Sequence, residues 1–186
     1  MYEIFVLGEL MEMDKHGYLL QERLKRAVGP IRQISSGTLY PLISRLVSQE
    51  WISLIGDDTA TGKRPKKKYT LTVAGKREFM ELMKEPLKYN TDIEIILHFK
   101  MCYFEYVSKQ VQLSCLEQYY NYLKYNLDYI QDQIQLFMDK KHQIPEQKRM
   151  QVMRMLEHRK FICISDVEWV TNETAKIQTS PDKETE

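Results

Sequence analysis

Cysteine is scarce in this sequence and poorly placed for pairing: Cys102, Cys115 and Cys163 are far apart and show no C-x-x-C spacing. An odd count without a secretion signal excludes a disulfide framework and leaves reduced, packed thiols as the expectation. Long apolar runs are missing as well. The opening segment MYEIFVLGELMEMDKHG has no basic flank ahead of its apolar residues and carries Glu3, Glu9 and Glu12, and no uncharged apolar run elsewhere reaches membrane-spanning length. A cytoplasmic chain without membrane contact is expected. Catalytic signatures are absent too: there is no P-loop, no G-x-G-x-x-G and no G-x-S-x-G. His16 in KHGY has no Cys, Ser or Asp constellation beside it and reads as a cap or turn residue. Glu94, His98 and Cys102 share one helix face at i, i+4 and i+8, but no fourth ligand and no H-E-x-x-H context accompany them, so packing is the preferred reading. His142 and His158 belong to no constellation. Neither a cofactor, a metal nor an enzymatic activity is expected.

What the sequence does have is an ordinary globular composition, 43% hydrophobic and 28% charged over 186 residues, enough for one domain or two small ones. Its net charge of +1 conceals an uneven distribution. From Arg23 to Arg77 there are twelve basic residues and three acidic ones, whereas residues 87–186 hold 13 basic against 15 acidic. A local excess of that size is the footprint of a phosphate-binding surface.

The order of elements gives that surface a shape. Apolar spacing predicts a first helix over residues 2–13 and, after DKHG, a second bearing Leu20, Leu24, Ala27 and Val28 that Gly29-Pro30 ends. A third helix follows, with Leu39, Leu42, Ile43, Leu46 and Val47 as its buried stripe, Ser35 or Ser36 as N-cap and Pro41 near the first turn. WISLI (51–55) and YTLTV (69–73) read as two strands around the polar turn GDDTATGKRPKKK, with Tyr69, Leu71 and Val73 on one face. Thr72 is placed to cap a fourth helix that Glu85-Pro86 closes. Three helices, a hairpin and a helix are the order of a winged helix-turn-helix.

The second half is helical. Thr91 and Glu94 form a possible capping box, and Leu113, Leu116, Tyr120, Leu123, Leu127, Ile130, Ile134 and Phe137 repeat at threes and fours, a seam its bearer cannot satisfy alone. Pro145 starts a last long helix carrying Val152, Met155, Leu156, Ile162, Cys163, Trp169 and Val170. The expected fold is mainly α: a winged-helix domain with a two-stranded wing over 1–86, a linker at 87–90, an all-helical dimerisation and effector domain over 91–175, and a polar tail over 176–186.

A helix that enters the major groove buries one side on its own domain and presents short polar groups and a few cations on the other. The third helix has that division. Ser35, Ser36, Gly37 and Thr38 allow close backbone approach to a phosphate at its N-terminus, Tyr40 and Ser44 offer hydroxyls, and Arg45 reaches a phosphate or a guanine edge. In the hairpin tip Lys63, Arg64, Lys66, Lys67 and Lys68 are placed to follow the sugar-phosphate backbone. Either feature alone is also compatible with a solvated surface; together they read as a recognition helix beside a wing.

These segments, HGYLLQERLKRAVGPIRQISSGTLYPLISRLVSQEWISL and GKRPKKKYTLTVAGKREF, resemble the N-terminal domain of PadR-type transcriptional regulators: His-Gly-Tyr at the second helix, ISSGTLYP at the third, and a G-x-R-P-x-K wing. The resemblance covers residues 1–86, with one departure at Glu50-Trp51, where the family usually has Glu-Gly. It implies a homodimeric repressor that binds double-stranded operator DNA, dimerises through its C-terminal helices and is released by a small aromatic effector of the phenolic-acid kind. Tyr119, Tyr120, Tyr122, Tyr125 and Tyr129, with Trp169 and Phe99, are candidates either for such a pocket or for dimer packing. Two rivals stay open at this level. One is a winged-helix adaptor that binds a protein partner; the other is a metalloenzyme built on Glu94, His98 and Cys102.

Overall fold

Helix α1 (Tyr2–Glu12) is buried almost all round, from Ile4 to Leu10, rather than along the single stripe its spacing suggests. The computed structural model, which describes residues 1–29, 34–57, 67–140 and 143–181, shows why. Five elements pack on α1: α2 (Gly17–Val28), α3 (Ser36–Ser48), β3 (Lys67–Leu71), α4 (Val73–Lys84) and α5 (Ile93–Cys102). A helix enclosed on every side has to be apolar on every side. Glu9 is the exception, and it is paired: Lys15 Nζ lies 3.3 Å from its carboxylate and Arg23 2.9 Å, while Lys15 also meets Glu12 at 2.9 Å. The Lys15 and Glu9 side chains are only 3% and 8% exposed, and with Arg23 and Glu12 they form a four-residue network in which each buried charge has two partners of opposite sign.

The sheet has three antiparallel strands in the order β1-β3-β2. Two were expected. The third, β1 (Lys15–His16), comes from the segment read as a helix break, and it pairs Lys15 with Tyr69 and His16 with Lys68. Strand β2 (Ile52–Asp57) pairs with β3 through a register shift between Leu54 and Gly56. Tyr69 is buried as expected, but Val73 is exposed, because it opens α4 instead of continuing the strand. Thr72 does cap α4, accepting a hydrogen bond from Gly75 N at 2.9 Å.

Two compact units result. The first joins Met1–Glu85 to Thr91–Val107, and the second joins Pro86–Asn90 to the chain from Ser108 onward. The placement of residues 91–107 corrects the expected boundary at 91. Helix α5 sends Ile93, Leu97 and Phe99 into the first core, where Phe99 meets Phe5 with ring centres 5.2 Å apart. Tyr103, in the turn after α5, lies so close to Gly8 that a Cβ there would stand 2.4 Å from its ring. The Tyr103 hydroxyl donates to the Phe5 carbonyl at 3.1 Å, and burial together with the Glu9 carboxylate pushes its pKa far up. Lys100 is buried, its ammonium donating to the carbonyls of Met83 and Glu85 at the C-terminus of α4. Neither contact has a periodic signal. The helix also starts at Ile93 with Asp92 as N-cap, so the Thr91–Glu94 capping box does not form.

The second unit is a helical hairpin of α6 (Lys109–Asp139) and α7 (Glu146–Thr179). Leu116, Leu123, Leu127 and Ile130 of the expected seam are buried, with Tyr119 in place of Tyr120. Their cover is α7 of the same chain, through Leu156, Cys163 and Val170 at seven-residue spacing. The seam therefore needs no second chain, contrary to the sequence reading. Phe99 belongs to the first unit and drops out of the tyrosine cluster, while Tyr89 joins it, 5.3 Å from Tyr122 and 6.1 Å from Tyr125. Residues 176–179, read as tail, continue α7.

Candidate nucleic-acid interface

Helix α3 buries Leu39, Leu42, Ile43 and Leu46 at helical spacing, and every other residue of the helix is exposed. Val47, assigned to the stripe from sequence, lies outside it. Ser35, Ser36, Gly37, Thr38, Tyr40, Ser44 and Arg45 are thus together on one uncovered surface. Ser35 is the N-cap, yet its side chain makes no cap bond; its hydroxyl faces that of Thr38 at 3.2 Å. The helix start consequently has no side-chain oxygen neutralising its positive end, the condition under which an anion is favoured there. Pro41 is the sixth residue of α3 rather than part of its first turn.

Tyr40 is fixed from below. A Cβ on Gly17 would stand 3.3 Å from the Tyr40 ring and 3.4 Å from that of Tyr69, so a larger residue at the start of α2 would press Tyr40 outward by a few tenths of an ångström. The His-Gly-Tyr segment therefore shapes the surface through its glycine. His16 stacks on Tyr18 with ring centres 5.6 Å apart.

The end of α3 is a Schellman cap. Trp51 N–H donates to Leu46 C=O and Glu50 N–H to Val47 C=O, both at 3.0 Å, and Glu50 takes the left-handed conformation with φ of 59°. The unusual Glu50-Trp51 pair thus keeps the turn. Glu50, not Trp51, occupies the strained position.

Electrostatics refine the sequence count. Four of the twelve cations between Arg23 and Arg77 are paired with carboxylates that lie outside that window in sequence: Arg23 with Glu9 and Glu12, Arg26 with Glu22, Arg45 with Glu3, and Lys68 with Asp14 at 3.8 Å. The Glu3 pairing is invisible in sequence, because 42 residues separate the partners. Burial raises the Glu3 pKa, but its hydrogen bonds, including one from the Met1 amino group, and the charge of Arg45 outweigh that and leave it below the ordinary value. Lys67 is exposed at the start of β3. Lys63, Arg64 and Lys66, together with His142, lie outside the described residues. Glu94, His98 and Cys102 line one exposed edge of α5, and among the described residues no three His, Cys, Asp or Glu side chains are grouped to hold a metal. Burial and the Glu9 charge raise the Cys102 pKa. No helix among the described residues is long and apolar enough to cross a membrane.

A helix-turn-helix with an uncovered third helix and an adjoining two-stranded wing defines a winged-helix protein of the DNA-binding class. Residues 6–81 match the transcriptional regulator PadR-like family, and the chain belongs to it. An uncharacterised protein X of Lysinibacillus sphaericus is 35% identical over 81 residues, which are 43% of this chain and 72% of that one. Among solved structures, Bacillus subtilis PadR in complex with operator DNA is 21% identical, with 94% of this chain and 96% of that one covered and a TM-score of 0.42. The same protein in complex with p-coumaric acid is 20% identical, covering 95% and 98% at a TM-score of 0.40.

Proposed function

We propose that the chain is a homodimeric repressor whose first unit binds double-stranded operator DNA. The observation that carries this reading is the face of α3, where short hydroxyls, a glycine and a single arginine surround an uncapped helix start. Helices of a surface usually carry mixed charges; this one carries groups sized for base edges and phosphates. Ser35 to Thr38 receive a backbone phosphate, Tyr40 and Ser44 supply hydroxyls, Arg45 reads a base or phosphate, and Lys63, Arg64, Lys66, Lys67 and Lys68 follow the backbone from the wing.

Dimerisation falls to α7. Met155, Ile162 and Trp169, at seven-residue spacing, are 48%, 47% and 41% exposed, one position N-terminal to the stripe that packs on α6. Large apolar side chains left exposed at that spacing along one side of a helix mark an interface. Two recognition helices related by a two-fold axis then meet half-sites about 10 base pairs, or a multiple, apart. A small phenolic acid, expected from the family resemblance, releases the DNA by binding the two states of the dimer unequally.

The test is a titration of the protein's own upstream promoter against random duplex at two salt concentrations, with and without a panel of phenolic acids. Tight, promoter-selective, salt-dependent binding is expected, with Arg45→Ala losing affinity for the promoter and Lys67→Ala weakening both duplexes and flattening the salt slope by about one ion. Equal, weak binding to both duplexes would refute the reading and favour a protein-binding winged helix.

A further inference from the structure

The arginine of the reading face is already occupied. Arg45 Nη2 donates to the carboxylate of Glu3, which projects from the start of α1 onto the surface of α3. Arg45 is 54% exposed and Glu3 23%, so the pair stands at the edge of the surface, where solvent and DNA both reach it. Beside it opens a groove of about 500 Å³ whose lining includes Glu3, Thr38, Leu42 and Arg45. The groove places a carboxylate next to the helix face that has no other acidic group.

A carboxylate paired with a guanidinium in this position imitates a phosphate. A DNA contact that takes the paired Nη2 of Arg45 displaces Glu3, and the displaced carboxylate then stands close to the phosphate backbone. A phosphate can take the freed guanidinium through two oxygens, but it brings a second negative charge towards the Glu3 carboxylate. A guanine edge returns two hydrogen bonds through O6 and N7 without adding charge. From this, and resting on the DNA-binding reading above, we infer that Glu3 is a specificity-determining residue: it holds Arg45 away from non-specific phosphate contact and yields it to a guanine edge.

The experiment uses the full chain and a duplex enriched by the wild-type protein from a random pool, against a scrambled duplex of equal composition. Affinities are measured for wild type, Glu3→Gln, Arg45→Ala and the double variant. An exposed ion pair contributes a few tenths to about 1 kcal/mol, equivalent to roughly a two- to fivefold change. Glu3→Gln is therefore expected to tighten binding to the scrambled duplex by about that factor, to change the selected duplex less, and to steepen the salt dependence by about one ion. In the Arg45→Ala background the same substitution should give a smaller gain, since only the repulsion between Glu3 and the phosphates is then left to remove. Glu3→Ala repeats the measurement with a side chain that needs no hydrogen-bond partner. Equal affinities of Glu3→Gln and wild type on both duplexes, or the same gain with Arg45 absent, would overturn the inference while leaving the DNA-binding reading intact. A wild-type protein that enriches no duplex would remove that reading and this inference with it.

Discussion

Thr72 joins the recognition helix, the wing and α4 at one hydroxyl, and its removal has a calculable cost. The Thr72 hydroxyl lies 2.6 Å from the carbonyl of Glu50 and 3.0 Å from that of Trp51, and it accepts from Gly75 N–H at 2.9 Å. The Thr72 N–H separately donates to the Trp51 carbonyl at 3.1 Å. Thr72→Val keeps the branched shape and that backbone bond and deletes only the hydroxyl. Loss of the N-cap costs about 1 kcal/mol, and leaving the turn carbonyls without their side-chain donor about 1 more. For a unit of this size, roughly 2 kcal/mol corresponds to a fall in Tm of about 10 °C. Urea and thermal melts followed by circular dichroism on the full chain give the number, with Thr72→Ser as the control that restores the hydroxyl. A Thr72→Val protein within about 0.5 kcal/mol of wild type would refute the reasoning, because cap and turn would then be held by the backbone alone.

Two further outcomes are expected. Glu50→Gly should stabilise the first unit by about 1 kcal/mol, since it removes a left-handed strain of about 1–2 kcal/mol and gives back part of that in unfolded-chain entropy; the urea midpoint measures it, and a lower midpoint would contradict the strain argument. Ile162→Glu, in the middle of the exposed α7 stripe, should convert the proposed dimer to a monomer in sedimentation equilibrium without loss of helical content, because Leu156, Cys163 and Val170 keep the hairpin closed; a variant with the same mass as wild type would refute α7 as the dimer contact.

Much of the fold was legible where its signals are local. Leu39, Leu42, Ile43 and Leu46 mark their helix by spacing, Thr72 and Pro145 mark helix starts by chemistry, and Gly29 caps α2 with φ of 80°. The face of α3 followed from the same periodicity, by subtraction. What sequence could not supply are contacts whose partners are distant and whose residue types are ambiguous. Strand β1 is two residues long and exists only because β3 passes beside it. Helix α5 has a generic apolar pattern, and nothing in it says that its cover is α1 rather than the following helices. The α6 seam was read correctly as a seam and wrongly as one needing another chain, since heptads state that a partner exists and not whose it is. The Arg45 pairing with Glu3 spans 42 residues and carries no periodic signature.

The docking of α5 bears on where the gene can be cut. A fragment that stops at residue 86, where the winged-helix pattern ends, would leave the first unit without Phe99, Lys100 and Tyr103. Phe5 would lose its neighbour, Gly8 would face solvent where a ring now lies, and the last carbonyls of α4 would lose the buried ammonium that binds them. The shortest piece that carries its own core ends at Val107, so the heritable unit of DNA reading in this chain is longer than its motif and is interrupted by five residues that belong to the other unit.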